Sequence, residues 1–379
     1  MTWLVIAATL AWVWLTFCHG DFFVAGPELS RVRPTATPPV CIVVPARDEA
    51  GTIEPVIASL LAQDYAGPSR VVLVDDNSTD GTGALARALP DPACRLTVLT
   101  GVARPPGWAG KLWAVHQGVA AGTEELVLLT DADIVHEPSH LATLVAGMER
   151  TGAAMVSEMV RLNCSSLAER ALVPAFVYFF CMLYPFAWVN DPRRSTAAAA
   201  GGTVLIRRQA LARIGGIAAI KGALIDDVTL ARAVKRTAPI WLGHTSEARS
   251  IRPYPDFADI WRMIARSAYV QLGYSPLLLL GTVLGMGFLF LVPVLGIATT
   301  GAEGFAGMVL RGSGFLLMVS SFAPAAKRYG FGPRIGLLAG LCLPLVALFY
   351  LAATIGAAID HYRGRGVVWK NRAYTEGAA

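Results

Sequence analysis

Leu126-Val127-Leu128-Leu129-Thr130-Asp131-Ala132-Asp133-Ile134 runs four apolar residues into an Asp-x-Asp. Two carboxylates stranded at the exit of a buried strand suit a divalent cation, although Asp also initiates turns and caps helices. Two upstream stretches repeat the pattern. Val40-Cys41-Ile42-Val43-Val44-Pro45 ends in Ala46-Arg47-Asp48-Glu49, and Val71-Val72-Leu73-Val74 ends in Asp75-Asp76-Asn77-Ser78-Thr79-Asp80-Gly81-Thr82. Short Val- and Leu-rich runs without polar alternation suit strands covered on both faces, as in a parallel sheet sandwiched by helices. Helical stretches over residues 53–63 and 111–121 lie between them. In open α/β sheets ligands bind outside the carboxyl ends of the strands, so Asp48, Asp76 and Asp133 are expected to converge on one site. Converging acids without a Cys/His set favour Mg²⁺ or Mn²⁺ over zinc. Such an ion neutralises a diphosphate, which suggests transfer of a group from a diphosphate donor.

These motifs, taken in order, resemble the family 2 glycosyltransferases, whose nucleotide-binding domain has a fold of the GT-A type; the resemblance covers most of residues 40–271. It implies an α/β domain with a mostly parallel sheet and helices on both faces. Pro45-Ala46-Arg47-Asp48-Glu49 matches the opening motif, which places Pro45, Arg47, Asp48 and Glu49 on the donor, with Asp48 or Glu49 at the nucleotide base. The second motif assigns Asp76 to the uridine region. Asp131 and Asp133 match the metal- and diphosphate-binding pair, with Asp133 as the direct ligand. Ile225-Asp226-Asp227-Val228-Thr229-Leu230 resembles the family's acidic dyad, normally Glu-Asp before a helix. By that match Asp227 is the general base that deprotonates the acceptor hydroxyl, and Asp226 is a conservative departure. A helix N-cap by either residue is the alternative use.

Processive members carry Gln-x-x-Arg-Trp after the dyad. Here Met263 and Ser267 replace the Gln and Trp, and only Arg266 matches, which argues for a single sugar transfer over polymer extension. Arg262 and Arg266 share a helix face, suited to phosphate on the acceptor and donor side or to the membrane surface. Gly107-Trp108-Ala109-Gly110-Lys111 presents Lys111 at a helix start, where an ammonium suits a diphosphate. Trp108 and Trp113 suit stacking on sugar or base, or core packing.

Hydrophobic residues make up 54% of the 379 and charged residues 16%, too apolar for an ordinary soluble enzyme. The apolarity is uneven. Residues 1–20 are expected to form an N-terminal transmembrane anchor, 21–39 a linker, 40–272 the catalytic domain, 273–360 a membrane region and 361–379 a basic tail. Residues 276–299 and 335–359 each reach the ~20 residues of a spanning helix, while 304–323 is interrupted by Arg311. The opening lacks a basic n-region, which favours a retained anchor over a cleaved signal. Arg31, Arg33 and Arg47 then hold the catalytic domain in the cytoplasm, on a bacterial inner membrane. Lys327, Arg328 and Arg334, and again Arg363, Arg365, Lys370 and Arg372, favour the same side, which leaves two or three C-terminal crossings.

Residues 173–189, apolar and aromatic with two prolines, suit an interfacial segment. They precede Gly201-Gly202-Thr203-Val204-Leu205-Ile206, which resembles the family's acceptor-proximal strand and puts Gly202 on the acceptor side. A lipid acceptor, or mere docking onto the bilayer, would account for them. The six cysteines show no paired spacing, and His136 and His140 are expected as surface or supporting residues. The net charge of +5 suits anionic lipid rather than nucleic acid.

The combined expectation is a membrane-bound inverting glycosyltransferase of hexosyltransferase type that uses a UDP-sugar, Mg²⁺ or Mn²⁺ and a lipid acceptor. Its layout resembles the hopanoid-biosynthesis-associated bacterial glycosyltransferases, which implies a hopanoid-like acceptor. A polyprenyl-phosphate sugar transferase and a non-catalytic membrane scaffold are the alternatives.

Overall fold

The computed structural model describes residues 2–24, 26–298, 304–365, 368–369 and 372–373. The chain opens on α1 (Thr2–Cys18), then alternates β1 (Val40–Ala46), α2 (Ile53–Leu61), β2 (Ser69–Asp75), α3 (Thr82–Arg87), β3 (Leu96–Thr100), α4 (Gly110–Ala120) and β4 (Leu126–Thr130). β5 (Ile134–His136), α5 (His140–Thr151) and β6 (Met155–Arg161) lead to α6 (Leu167–Leu183) and α7 (Phe186–Asn190). β7 (Thr203–Arg207), α8 (Arg208–Arg213), α9 (Asp226–Lys235) and β8 (Ile240–Ser250) follow. The rest is helical: α10 (Phe257–Gln271), α11 (Pro276–Met286), α12 (Val292–Ala298), α13 (Gly304–Ser321), α14 (Ala323–Arg328), α15 (Pro333–Leu341) and α16 (Leu343–Tyr362), before the short pair β9 (Val368–Trp369) and β10 (Arg372–Ala373).

These elements fall into two compact units. One comprises Pro27–Asn163 and Trp188–Arg252; the other comprises Met1–Gly26, Cys164–Ala187 and Pro253–Arg365. The stretch 40–272, expected as one catalytic domain, is therefore divided, because residues 164–187 and 253–272 cluster with the apolar helices.

The first unit is built on an eight-stranded sheet of order β3-β2-β1-β4-β7-β6-β8-β5. β3, β2, β1 and β4 are parallel, as their unbroken apolar runs predict. β7 pairs antiparallel with both β4 and β6, and β5 antiparallel with β8, so the sheet is mixed. Alternate β1 residues face opposite layers. Val40, Ile42 and Val44 pack with Ile53, Val56 and Ile57 of α2 and Leu141, Leu144 and Val145 of α5. Val43 faces α4, where a Cβ added at Gly118 would lie 2.4 Å from its Cγ1. Glycine thus lets that helix approach the sheet closely.

Among the described residues of the second unit, three stretches are long and apolar enough to cross a membrane: Pro276–Ala298, Gly307–Arg328 and Leu343–Tyr362. Arg311 does not interrupt the middle one. The span expected over 335–359 is broken instead, since α15 stops at Leu341 and α16 restarts with Pro344 in its first turn. α1 has 17 residues, about 25 Å of helix at 1.5 Å per residue, and is the weaker candidate for a span. It packs on the other helices: Trp12 is buried and donates its Nε1–H to the Leu289 carbonyl at 2.7 Å. The segment 173–189 is mostly α6, started by a capping box between Ser166 and Glu169. Tyr178 shares a hydrogen bond with Ser321 at 2.8 Å, and Tyr350 donates to the Leu172 carbonyl at 2.8 Å. Tyr178 and Phe179 of this segment thus pack among the other helices of the unit.

Leu73 sits at the centre of β2 with no exposure. Leu73→Ala is expected to lower the unfolding free energy of the sheet-bearing unit by about 2–5 kcal/mol, measured by chemical denaturation in detergent.

Candidate active site

Strand register decides which residues meet. Ala46 is level with Asp75 across β1 and β2, and Val43 with Leu129 across β1 and β4, so three parallel strands end at one edge. Residues 47–49, 76 and 131–133 leave the sheet there. β7 runs the other way, with Thr203 opposite Thr130, which brings its starting turn Gly201-Gly202 to the same edge. Ile134 pairs with Ser250, so the end of β8 arrives beside Asp133.

The acids form three groups. In the first, Arg47 donates to the Asp76 carbonyl at 2.6 Å and lies 3.7 Å from its buried carboxylate. Asp48 accepts from the Thr79 backbone N–H at 2.8 Å, and its own N–H donates to Ser78 Oγ at 3.0 Å. Asp48 and Asn77 adopt φ of 50° and 55°, a left-handed conformation that these two residue types tolerate better than most. In the second group Arg252 joins Glu49, at 2.7 Å, to Asp133, at 3.0 Å. Ser250 Oγ donates to the same Asp133 oxygen at 2.9 Å.

The third group holds the dyad. Lys111, in the first turn of α4, places its Nζ 2.9 Å from Asp131 and 3.0 Å from Asp226. Asp227 sits beside it in the first turn of α9. Neither dyad residue is the N-cap, which is Ile225. One Asp227 oxygen accepts from the Gly201 N–H at 2.9 Å, and the other from the Val228 N–H at 2.7 Å. A Cβ at Gly201 would lie 3.3 Å from that carboxylate, and one at Gly202 only 2.9 Å from Val160 Cγ2. A side chain at Gly202 would thus force Val160 to move, and one at Gly201 would crowd the carboxylate. Pro45, Lys111, Asp131, Gly201, Asp226 and Asp227 all line one recess with an empty volume of about 390 Å³.

Charge crowding sets the titration of this recess. Burial and the Asp226 carboxylate push the Asp227 carboxyl up to about 7, against the opposing pull of Lys111 and the two backbone N–H groups. Burial also raises Asp131; Lys111 opposes that and the Asp133 charge adds to it. Burial lowers Lys111, but Asp131 and Asp226 more than offset this, so the ammonium is held strongly.

Among the described residues no group of three His, Cys, Asp or Glu is placed to hold a metal. Asp131 and Asp133 are two hard-oxygen donors at one strand exit, and this donor set fits Mg²⁺ or Mn²⁺ held by carboxylates with donor phosphate oxygens and water completing the shell. Arg262 and Arg266 lie on α10 in the helical unit, where Arg262 pairs with Asp259 at 2.5 Å.

Sequence reasoning missed Arg252 and Ser250, which contact Asp133 from more than a hundred positions away and belong to no motif. Of the two places expected for His136 and His140, the surface one fails. Both are buried, at 3% and 0% exposure, because β5 and the start of α5 turn them inward on either side of Pro138.

Lys111→Met would leave Asp131 and Asp226 without their shared cation, at a cost of about 1–3 kcal/mol in stability. Because the ammonium lowers Asp227, its removal makes that carboxyl hold its proton to higher pH. The titration of Asp227, followed by NMR of ¹³C-labelled aspartate, is expected to move to higher pH in this variant.

Residues 41–215 match the family model described as Glycosyl transferase family 2. The chain is 34% identical over 135 residues to succinoglycan biosynthesis protein ExoO of Rhizobium meliloti, a match covering 36% of each chain. It is 29% identical over 149 residues to beta-monoglucosyldiacylglycerol synthase of a Synechocystis strain, covering 35% of this chain and 31% of that one. The chain thus spans about a third of the length of these relatives. The solved mannosyltransferase PcManGT of Pyrobaculum calidifontis, in complex with GDP-Man and Mn²⁺, is similar in fold, with a TM-score of 0.54 at 21% identity, covering 95% of this chain and 99% of that one. The converging acids of the sheet edge thus lie in or beside a stretch, residues 41–215, that is similar to glycosyl transferase family 2, and the fold is GT-A-like.

Proposed function

We propose that this protein is a membrane-bound inverting glycosyltransferase that moves a sugar from a UDP-linked donor to the hydroxyl of a lipid, with Asp227 as the general base. The observation that supports this most is the recess itself. It puts a carboxyl poised at about 7 beside Asp131 and Lys111 at the exit of β4. A base is most effective when its proton affinity lies near the working pH.

Arg47, Asp48, Glu49 and Asp76 would hold the nucleoside, with Arg47 fixing the loop that carries Asp76. Lys111 would orient the diphosphate end while holding Asp131 and Asp226 together. Asp131 and Asp133 would hold a divalent ion, which supplies charge neutralisation for the departing UDP. Asp227 takes the acceptor proton as the hydroxyl oxygen bonds the anomeric carbon and the bond to UDP breaks. The Gly201 and Val228 N–H groups keep that carboxylate aimed and Asp226 raises its proton affinity, while Gly202 would lie on the acceptor side of the turn.

Three membrane-compatible helices and a diacylglycerol-linked relative support a lipid acceptor and a multi-pass place in a bacterial inner membrane with the site on the cytoplasmic side. A hopanoid-like polycyclic alcohol is the narrower proposal for the acceptor.

The test is UDP release by purified enzyme in lipid, across UDP-sugars, with Mg²⁺ or Mn²⁺ and with or without hopanoid extract. Release that needs both metal and extract is expected; release with polyprenyl phosphate instead would overturn the hydroxyl acceptor. Asp227→Asn is expected to retain UDP binding and lose about 10²–10⁴-fold in transfer. Asp227 works only after losing its proton, so kcat/KM should rise with pH through about 7 and be lost below it. Unchanged transfer by the Asn variant would remove Asp227 from the mechanism.

A further inference from the structure

A chain of buried polar groups runs beneath the recess and is used by no step above. Gly202's carbonyl oxygen lies 2.8 Å from Thr130 Oγ1, and that hydroxyl lies 2.9 Å from His136 Nε2. His136 Nδ1 meets His140 Nδ1 at 2.8 Å, and His140 Nε2 meets Glu158 Oε2 at 2.7 Å. Thr130, His136, His140 and Glu158 are each at most 3% exposed. They come from β4, β5, α5 and β6, so the chain ties four elements together.

The direction of these hydrogen bonds follows from one fact, that a carbonyl oxygen only accepts. Thr130's single proton therefore points at Gly202, and its oxygen must accept from His136 Nε2–H. One proton lies between the two Nδ1 atoms and one between His140 and Glu158. The three links hold three protons, one more than two neutral imidazoles and a carboxylate possess. The set is therefore electrically neutral, as a cluster this deeply buried requires. Burial and His140 lower His136 well below its ordinary value, which keeps His136 neutral with its proton on Nε2.

What this chain grips is the turn under the base. Thr130 holds the Gly202 carbonyl, two peptide groups along the same turn from the Gly201 N–H that binds Asp227. Ser157 Oγ holds the preceding residue through both the Ala200 N–H at 2.8 Å and its carbonyl at 3.1 Å. We propose that Thr130, His136, His140 and Glu158 form a net-neutral buried chain of positioning residues that fixes the Gly201-Gly202 turn and so aims the Asp227 carboxylate at the acceptor. This rests on the glycosyl-transfer reading for what the carboxylate does, but not for where the turn is held.

Thr130→Val keeps shape and removes the hydroxyl. It is expected to lower kcat about tenfold to a hundredfold, the rate equivalent of one unpaired buried carbonyl. The Kd for UDP should stay within about threefold, since the nucleoside end is untouched. Amide hydrogen exchange of the peptide 198–205 should accelerate, and Thr130→Ser should restore both exchange and kcat. Glu158→Gln should behave as the native protein, because its amide N–H can donate to a neutral His140 Nε2 and preserve every link, whereas Glu158→Met should copy Thr130→Val. Selective ¹⁵N labelling of histidine should show His136 protonated at Nε2. Native exchange and kcat in Thr130→Val, a serine variant as impaired as the valine one, or His136 protonated only at Nδ1 would each overturn the proposal. If the native enzyme transfers no sugar at all, the glycosyl-transfer reading fails, while exchange and ¹⁵N shifts still decide the chain.

Discussion

Lys111 between Asp131 and Asp226 is the contact on which the site depends. Asp131, Asp226 and Asp227 converge on one recess of partial exposure, where their mutual repulsion has little water to weaken it. A single ammonium at 2.9 and 3.0 Å ties the exit of β4 to the start of α9 through the first turn of α4. The cation belongs to a helix packed on β1 through Gly118, so its place is set by the sheet core. Core packing and site electrostatics are in this sense one constraint: α4 cannot shift outward without separating Lys111 from its acids.

The same logic explains why the acids arrive from such distant positions. Parallel strands of matched register end level with one another, so each exit adds a residue to one edge. That part was legible in the sequence, since β1, β2 and β4 each announce themselves as an apolar run stopped by Asp. The antiparallel half was less visible. β7 was recognisable from its Gly-Gly start, but nothing local says that β8 returns alongside β5 and delivers Ser250 and Arg252 to Asp133. Pairing between distant strands is a tertiary fact with no periodic signature.

The buried histidines illustrate a second limit. Two histidines four apart around a proline carry no helical face, and polarity argues for the surface. Their inward placement becomes intelligible only with Glu158 and Thr130 present, because a buried imidazole needs partners at both nitrogens. In the helical unit, the break between α15 and α16 was hidden for the opposite reason. Residues 335–359 are continuously apolar, and hydropathy does not register that Pro344 lacks the N–H needed to continue the helix of Gly340 and Leu341.

Asp227 finally shows how opposing influences yield a useful group. The first turn of α9 and two backbone N–H donors favour its anion, as does Lys111. Burial and Asp226 favour the acid form, and they prevail far enough to bring the carboxyl to about 7. An ordinary exposed aspartate, ionised from about pH 4 upward, would be too weak a base to hold a hydroxyl proton. A carboxyl buried without donors would remain protonated and accept nothing. The Gly-Gly turn meets the two demands, since its backbone N–H reaches a carboxylate that a Cβ at Gly201 would crowd at 3.3 Å.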